Sequence, residues 1–351
     1  MSYNRIGTPR VYVDLISYNL AHGWSDESDI TLLQDDDTTE VTFTTDSDSK
    51  MEMFDNRPSN HVTINKTNKE FYVQYDTGFS NDALAESSFL AILNHNFHTA
   101  NAVFKVEISD DASMSGATKV STTGSHTKII NAEANDTGGE IDPAGNGWTL
   151  IKWDTQESGN RYVRISFAND TPNVDFSSDV KIGSILYGEY VDFPHSPNMN
   201  VSTTIDYSGT ELQESIGGCT FANSTHFGQP TWAVTTPWDV VTSTADRSGY
   251  SFKHHYGRRN YSMKFSFLSD TDLFSEDIHS DDADEWFDSN SLDSSFYQRI
   301  LGQHLPFLFV IDGSSTSKGD YGLFRLADSG FQSTQVASRV WDIGLNITET
   351  W

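Results

Sequence analysis

One cysteine, Cys219, occurs in 351 residues. A single thiol excludes an internal disulfide framework and any metal site built from several thiolates. Between Gly218 and Thr220, with no histidine partner beside it, it reads as a buried, inert thiol. Basic residues are scarce as well. The 22 Lys+Arg stand against 50 Asp+Glu, a net charge of −28. That excludes a phosphate-backbone binder, because counterion release needs clustered Lys and Arg. No run approaches the roughly 18 apolar residues of a membrane-spanning helix. The start, Met-Ser-Tyr-Asn-Arg-Ile-Gly-Thr-Pro9, lacks an apolar h-region, so no signal peptide and synthesis in a cytoplasm are expected. The strings of common catalytic sites are missing: G-x-S-x-G, H-E-x-x-H, G-x-x-x-x-G-K-[ST] and G-x-G-x-x-G. A glycosidase needs only two carboxylates about 5–10 Å apart, and that pairing is illegible among so many acids. Apolar residues make up just 36% of the chain, but aromatics reach 13%, enough large rings to build a core. Intrinsic disorder with high charge goes with few aromatics, the opposite of this balance.

What the chain has in abundance is period-two alternation. Val11, Val13 and Leu15 alternate with Tyr12 and Asp14, and Val41–Phe43 and Val62–Ile64 repeat the pattern in short form. The runs 71–75, 104–108, 163–167, 261–267 and 341–347 do the same, each reading as a strand with one buried face. Clusters of Gly, Ser, Thr, Asn and Asp between them supply turns. The pattern predicts a mainly β protein built from antiparallel sandwiches or barrels. Helical signal is sparse. Leu292, Phe296 and Ile300 are spaced for a helix over 291–303, capped by Ser291 and ended by Gly302. A shorter candidate covers 82–88. Pro194 and Pro197 close a strand-like run and place a boundary near residue 192, since proline cannot donate into a ladder. The division expected is therefore 1–54 (an N-terminal arm and leading strands), 55–192 and 193–351.

Several clusters invite a chemical reading. Asn94-His95-Asn96-Phe97-His98 lies between strands. It reads as a turn stapled by side-chain hydrogen bonds, with a glycan-contact loop formed by Asn94, His95 and Asn96 as the sharper alternative and His95/His98 metal ligation as a third. Lys253–Arg259 is the one basic island. It either pairs with the protein's own acids or makes an intersubunit contact through Tyr256, Arg258 and Arg259. Trp148, Trp153, Trp232, Trp238 and Trp286 fall near loops, where core burial competes with sugar or protein contact. The densest acidic run, from Asp270 to Asp293, lacks the glycine and terminal glutamate of an EF-hand. No cofactor is implied, a Ca2+ site has no motif behind it, and metal binding stays open. The six N-x-S/T sequons, beginning at Asn65, Asn135, Asn169, Asn200, Asn223 and Asn346, read as chance in an Asn/Thr-rich chain.

Two stretches resemble known families. Phe89-Leu-Ala-Ile-Leu-Asn-His-Asn-Phe97, Ala102-Val-Phe-Lys-Val-Glu-Ile-Ser109, Arg161-Tyr-Val-Arg-Ile-Ser-Phe167 and Ile182-Gly-Ser-Ile-Leu-Tyr-Gly188 resemble a discoidin-type, galactose-binding-like jelly roll. Further on come Phe193-Pro-His-Ser-Pro197, Gly257-Arg-Arg-Asn-Tyr-Ser-Met-Lys-Phe265, Leu305-Pro-Phe-Leu-Phe309 and the closing run from Val336 to Trp351. Together these resemble virion structural proteins of tailed bacteriophages, marine ones especially. The resemblance implies two β-sandwich modules, a jelly roll followed by a tail-tube or distal-tail-like sandwich with one packed helix. It implies a non-enzymatic tail or baseplate ring protein in the virion, with itself and other tail proteins as partners. Heterologous contacts would close such a ring, and a negative channel face would repel passing DNA. The alternatives are a glycan-binding host-recognition adhesin, with a host surface glycan as partner, or a capsid decoration or head–tail joining protein. No sequence-specific nucleic acid and no membrane span are expected.

Overall fold

A computed structural model describes residues 6–80, 84–122, 124–134, 138–206, 210–224, 257–275 and 291–350. The chain is mainly β, and every strand pair among the described residues is antiparallel. An eleven-stranded sheet is the backbone of the molecule. Across it run Ser202–Asp206, Arg258–Ser269, Val340–Glu349, Tyr321–Leu326, Phe307–Val310, Arg10–Asp14, Ser184–Asp192, Ser87–His95, Gly147–Gln156 and His126–Ile130, with Ser333–Ala337 also on Val340–Glu349. A seven-stranded sheet faces one end of it, in the order Ile30–Gln34, Glu70–Asp76, Tyr162–Asn169, Ala102–Ser109, Ile141–Pro143, Ala132–Ala134, with Thr118–Lys119 on Ala102–Ser109.

Alternation in the sequence builds the sandwich directly. Tyr162–Asn169 is buried at every second residue. Its Phe167 lies opposite both Phe71 and Phe104 in the ladder, and Phe71 and Phe167 stack 4.9 Å apart. These rings meet Leu90, Ile92, Ile151 and Tyr187 from the long sheet in the first core. A second core lies beside it, where Tyr261, Phe265, Phe309, Phe324 and Leu345 pack against Phe296 and Ile300.

The strand Arg10–Asp14 joins the two. It pairs with Ser184–Asp192 on one side and Phe307–Val310 on the other. Gly188 is needed at this seam, because a Cβ there would meet Val13 O at 2.2 Å. The sheet also curls on its other face. Trp148 approaches Tyr321 at 5.5 Å, five strands along the sheet, around a third cluster centred on Tyr12. Lys128 closes that curl, donating to Gly313 O at 2.7 Å and Ser315 O at 2.8 Å. Burial pulls its ammonium down to about 8.

Several sequence expectations need correction. Leu15 opens a helix, Leu15–His22, rather than extending the strand, because Asp14 caps it by accepting from the Ser17 N–H. Residues 41–43 make only one isolated bridge, Phe43 to Ile64. The 82–88 helix is absent in its described part: Leu84 and Ala85 turn, and Ser87 starts a strand. The helix over 291–303 is a six-residue π-helix, Asp293–Gln298, although Leu292, Phe296 and Ile300 do face the core. The N-terminal segment is no free arm from residue 8 onward, since Thr8 O and Pro9 O accept from Gly313 N–H and Phe193 N–H. Cys219 is exposed, on a hairpin turn. No helix of the described residues is long and apolar enough to cross a membrane.

Candidate functional site

The Asn94–Asn96 turn is filled with its own hydrogen bonds. Asn94 sits at φ 54, in the left-handed region that asparagine tolerates, and its Nδ2 donates to Pro58 O. Asn96 Nδ2 donates to Asp179 O and its Oδ1 accepts from the Lys181 N–H, both at 2.8 Å. The His95 ring is buried and stacks on Phe97 at 4.2 Å. Its Nδ1 accepts from the Phe97 N–H, and Nε2 lies 2.9 Å from Thr149 Oγ1. Burial pushes its pKa down to about 3, against a smaller opposing bond with the Trp148 backbone. A neutral ring inside the fold, with both nitrogens engaged, cannot reach a sugar. The glycan-contact reading of Asn94, His95 and Asn96 is therefore corrected: these side chains hold the turn. His98 is exposed and His95 is not, and no group of three metal-ligating side chains gathers among the described residues.

Arg259 is also internal. Its guanidinium meets Glu349 Oε1 at 2.6 Å and donates to Gly319 O and Tyr321 O at 2.8 and 2.6 Å. Burial lowers its pKa, but the charge and hydrogen bond of Glu349 outweigh that and hold it above its ordinary value. The intersubunit role expected of Arg259 is thus replaced by an internal pillar linking two strand ends. Arg258 is half-buried, and Tyr256 lies outside the described residues. Trp148 and Trp153 are core residues, while Trp232, Trp238 and Trp286 lie outside the described residues, as does 276–290 of the acidic run.

The aromatic surface lies elsewhere, at a position the sequence reading passed over. The Leu15–His22 helix ends at Gly23, in the left-handed region at φ 70. The next residue, Trp24, is 46% exposed. His22 stacks on its indole at 4.5 Å and 16°. Tyr18 meets it edge-on at 5.8 Å and Phe79 at 6.1 Å. The backbone beneath is fixed: the Trp24 N–H donates to Asn19 O at 3.0 Å, and Asn19 Nδ2 and Ser25 Oγ both bond the buried Tyr75 hydroxyl, at 3.0 and 2.8 Å. Burial raises that phenol to about 12. Two residues on from Trp24, Asp26 and Asp29 close a capping box over Glu27–Asp29. The site is thus a preorganised aromatic plate, with the carboxylates of Asp26 and Asp29 following it closely in the chain. The legible signal was a tryptophan directly after a helix-ending glycine, in His22-Gly23-Trp24-Ser25-Asp26.

No protein-family profile matches the chain, and no curated protein is detectably similar to it. Among solved structures, it is similar to chitosan-binding module 1 from a chitosanase/glucanase of Paenibacillus sp. IK-5, at 11% identity, 45% of this chain, 92% of that chain and a TM-score of 0.29. It is also similar to CpGH89CBM32-4 of Clostridium perfringens, at 12% identity, 50% and 99% coverage and a TM-score of 0.30. The CBM32 of AlyQ matches at 14% identity, 42% and 92% coverage and a TM-score of 0.25.

Proposed function

We propose that this protein is a non-enzymatic glycan-binding β-sandwich, with the Trp24 plate as its contact surface. The observation that carries this reading is an indole left half-exposed while the residues around it are fixed from below. A pyranose ring presents an apolar C–H face that stacks on such a surface, and the neighbouring acids accept from its hydroxyls. Rigid aromatic anchors bind at low entropic cost, because little is left to order on association. The test is a glycan array probed with the labelled full chain and with Trp24→Ala. The variant is expected to lose binding roughly tenfold or more, as a truncated hot spot does, and to cost about 1–2 kcal/mol of stability for the half-buried ring, leaving the fold intact. Equal binding by both proteins would overturn the assignment.

One observation favours a second reading, a subunit of a virion ring or other homo-oligomer. Among the described residues, the hairpin of Thr210–Glu214 and Thr220–Ser224 forms a sheet of its own, with Leu212, Ile216 and Phe221 exposed. An isolated two-stranded hairpin is marginal in water, and a second copy would cover it. Light scattering across salt tests this: a discrete multiple of 39.2 kDa supports it, and a monomer at every salt removes it.

A further inference from the structure

The solvent face of the second region carries a groove of about 920 Å³. Its floor is the pair of strands Arg258–Ser269 and Val340–Glu349, and the 328–332 loop forms one wall. Gly344 lies in the middle of that floor, opposite Lys264. Glycine inside a strand weakens it and marks a place where something approaches closely. At Gly183, Gly188 and Gly322 the approaching group is the protein itself, because a Cβ would meet other atoms at 2.2–2.5 Å. At Gly344 a Cβ would meet nothing within 4 Å, and no left-handed backbone requires glycine there. Neither packing nor conformation accounts for this residue.

Polar pairs flank the gap on both sides. Lys264 Nζ holds Asp342 at 2.8 Å, and Asn346 Nδ2 donates to Asp328 at 2.6 Å. At the Asp342 end the Arg258–Ser269 strand bulges between Phe265 and Leu268. The bulge places Phe267 at φ 67, strained for a bulky residue, and leaves its ring 81% exposed. Strain of this kind persists where it serves a site.

The geometry points to this groove as a second binding site, for an uncharged oligosaccharide that lies over Gly344 and runs past the Asp342 end onto the Phe267 ring on the adjoining bulge, outside the groove lining. It rests on the glycan-binding reading but on separate residues. The Val340–Glu349 strand is paired with Arg258–Ser269 along the groove, and on its other side only Gly344 and Leu345 fall between the pairings with Ser333–Ala337 and Tyr321–Leu326 and the Ala327 N–H bond to Asn346 O, an edge too short for an extended peptide to add along as a strand. The ligand must be read by amide, carboxylate and hydroxyl groups, which suit vicinal hydroxyls. Asp328 and Asp342 disfavour a polyanion, and Lys264 is already paired.

The experiment is isothermal titration of the full chain with xylohexaose, cellohexaose, mannohexaose and chitohexaose, repeated for Trp24→Ala, Phe267→Gly and Gly344→Val. The proposal expects one hexasaccharide to bind wild type and Trp24→Ala, and to bind Phe267→Gly and Gly344→Val roughly tenfold more weakly. Phe267→Gly relieves the positive φ, so its urea midpoint is expected to equal or exceed that of wild type while its binding falls. That combination keeps the test valid even if Gly344→Val fails to fold. Unchanged binding by Phe267→Gly, or no binding of any hexasaccharide by wild type, overturns the proposal. Loss of all binding in Trp24→Ala alone would overturn the groove and leave the Trp24 plate standing. Loss only in the groove variants supports the groove and leaves the Trp24 plate to be decided by its own glycan-array test.

Discussion

The two ends of the long sheet are covered in different ways. At the first, a seven-stranded sheet lies across the inner face, and the polar groups buried there are mostly neutral, Asn94, His95, Asn160 and Thr149, with Lys152 the buried cation, its Nζ over the Tyr190 ring. At the second, the described cover is the π-helix and its flanking turns, and charges go inside with it. Arg259 pairs with Glu349, and Arg299, 3% exposed, meets Glu189 at 2.9 Å. A facing sheet supplies apolar area strand by strand and needs no charge to fix its register. A short helix over a single sheet supplies less, and two ion pairs tie its surroundings together. A buried pair adds little net stability over an apolar pair, yet losing one partner is severe, because the other charge stays inside.

That difference is broken most directly at Glu349. Glu349→Ala leaves the Arg259 guanidinium without its carboxylate and is expected to cost about 3–5 kcal/mol. The double change Arg259→Met with Glu349→Leu is expected to recover most of that loss. Urea denaturation measures both. A loss below about 1 kcal/mol for Glu349→Ala would mean that the pair is in effect a surface contact and that the two ends are stabilised alike.

The seam between the ends gives a second test. Asp14 is buried, and burial pushes its pKa up to about 6 against the hydrogen bonds from Ser17 and Tyr187. Because its pKa is higher folded than unfolded, folding is favoured by its protonation. That contribution is complete below about 3.8, the unfolded value, and is lost as pH rises through about 6. Wild type measured against Asp14→Asn is therefore expected to lose relative stability between pH 4 and 6, by about 2–3 kcal/mol at most. His95 runs the other way. Its lowered pKa means that stability is lost as pH falls from 6.5 toward about 3, which is why the comparison needs the variant and not wild type alone. A difference that is flat with pH would show Asp14 to be solvated at the seam.

Strands were legible wherever one face met solvent, as at 163–167 and 261–265, because alternation survives there; Phe267, read as the next buried position of the second run, is turned out to solvent by the bulge between Phe265 and Leu268. The helix Leu15–His22 was not, since its first residues continue the alternation of the strand before it and only the cap at Asp14 separates them. Val41–Phe43 alternates but found no continuous partner. Strand pairing is set by distant residues, so nothing local announced that Arg10–Asp14 lies between strands near 190 and 309. The site was missed for a related reason. Tryptophans were weighed by nearness to loops, and Trp148 and Trp153 went to the core while Trp24 stayed out. Exposure depends on what packs above a residue, and that is a tertiary fact.

The smallest effect concerns the turn that stands in for charge at the first end. Asn94 serves it twice, through the left-handed backbone and through its amide bond to Pro58 O. Asn94→Gly keeps the backbone freedom and loses the bond. Asn94→Ala loses both and leaves the Pro58 carbonyl without that donor. Glycine is thus expected to cost about 1 kcal/mol and alanine about 1 kcal/mol more, read from urea midpoints at constant slope. If alanine and glycine cost the same, the backbone at 94 is unstrained and the amide alone holds the turn. If neither costs anything, the neutral polar interior of the first end is only filling, and the contrast with the Arg259–Glu349 end sharpens to a single ion pair.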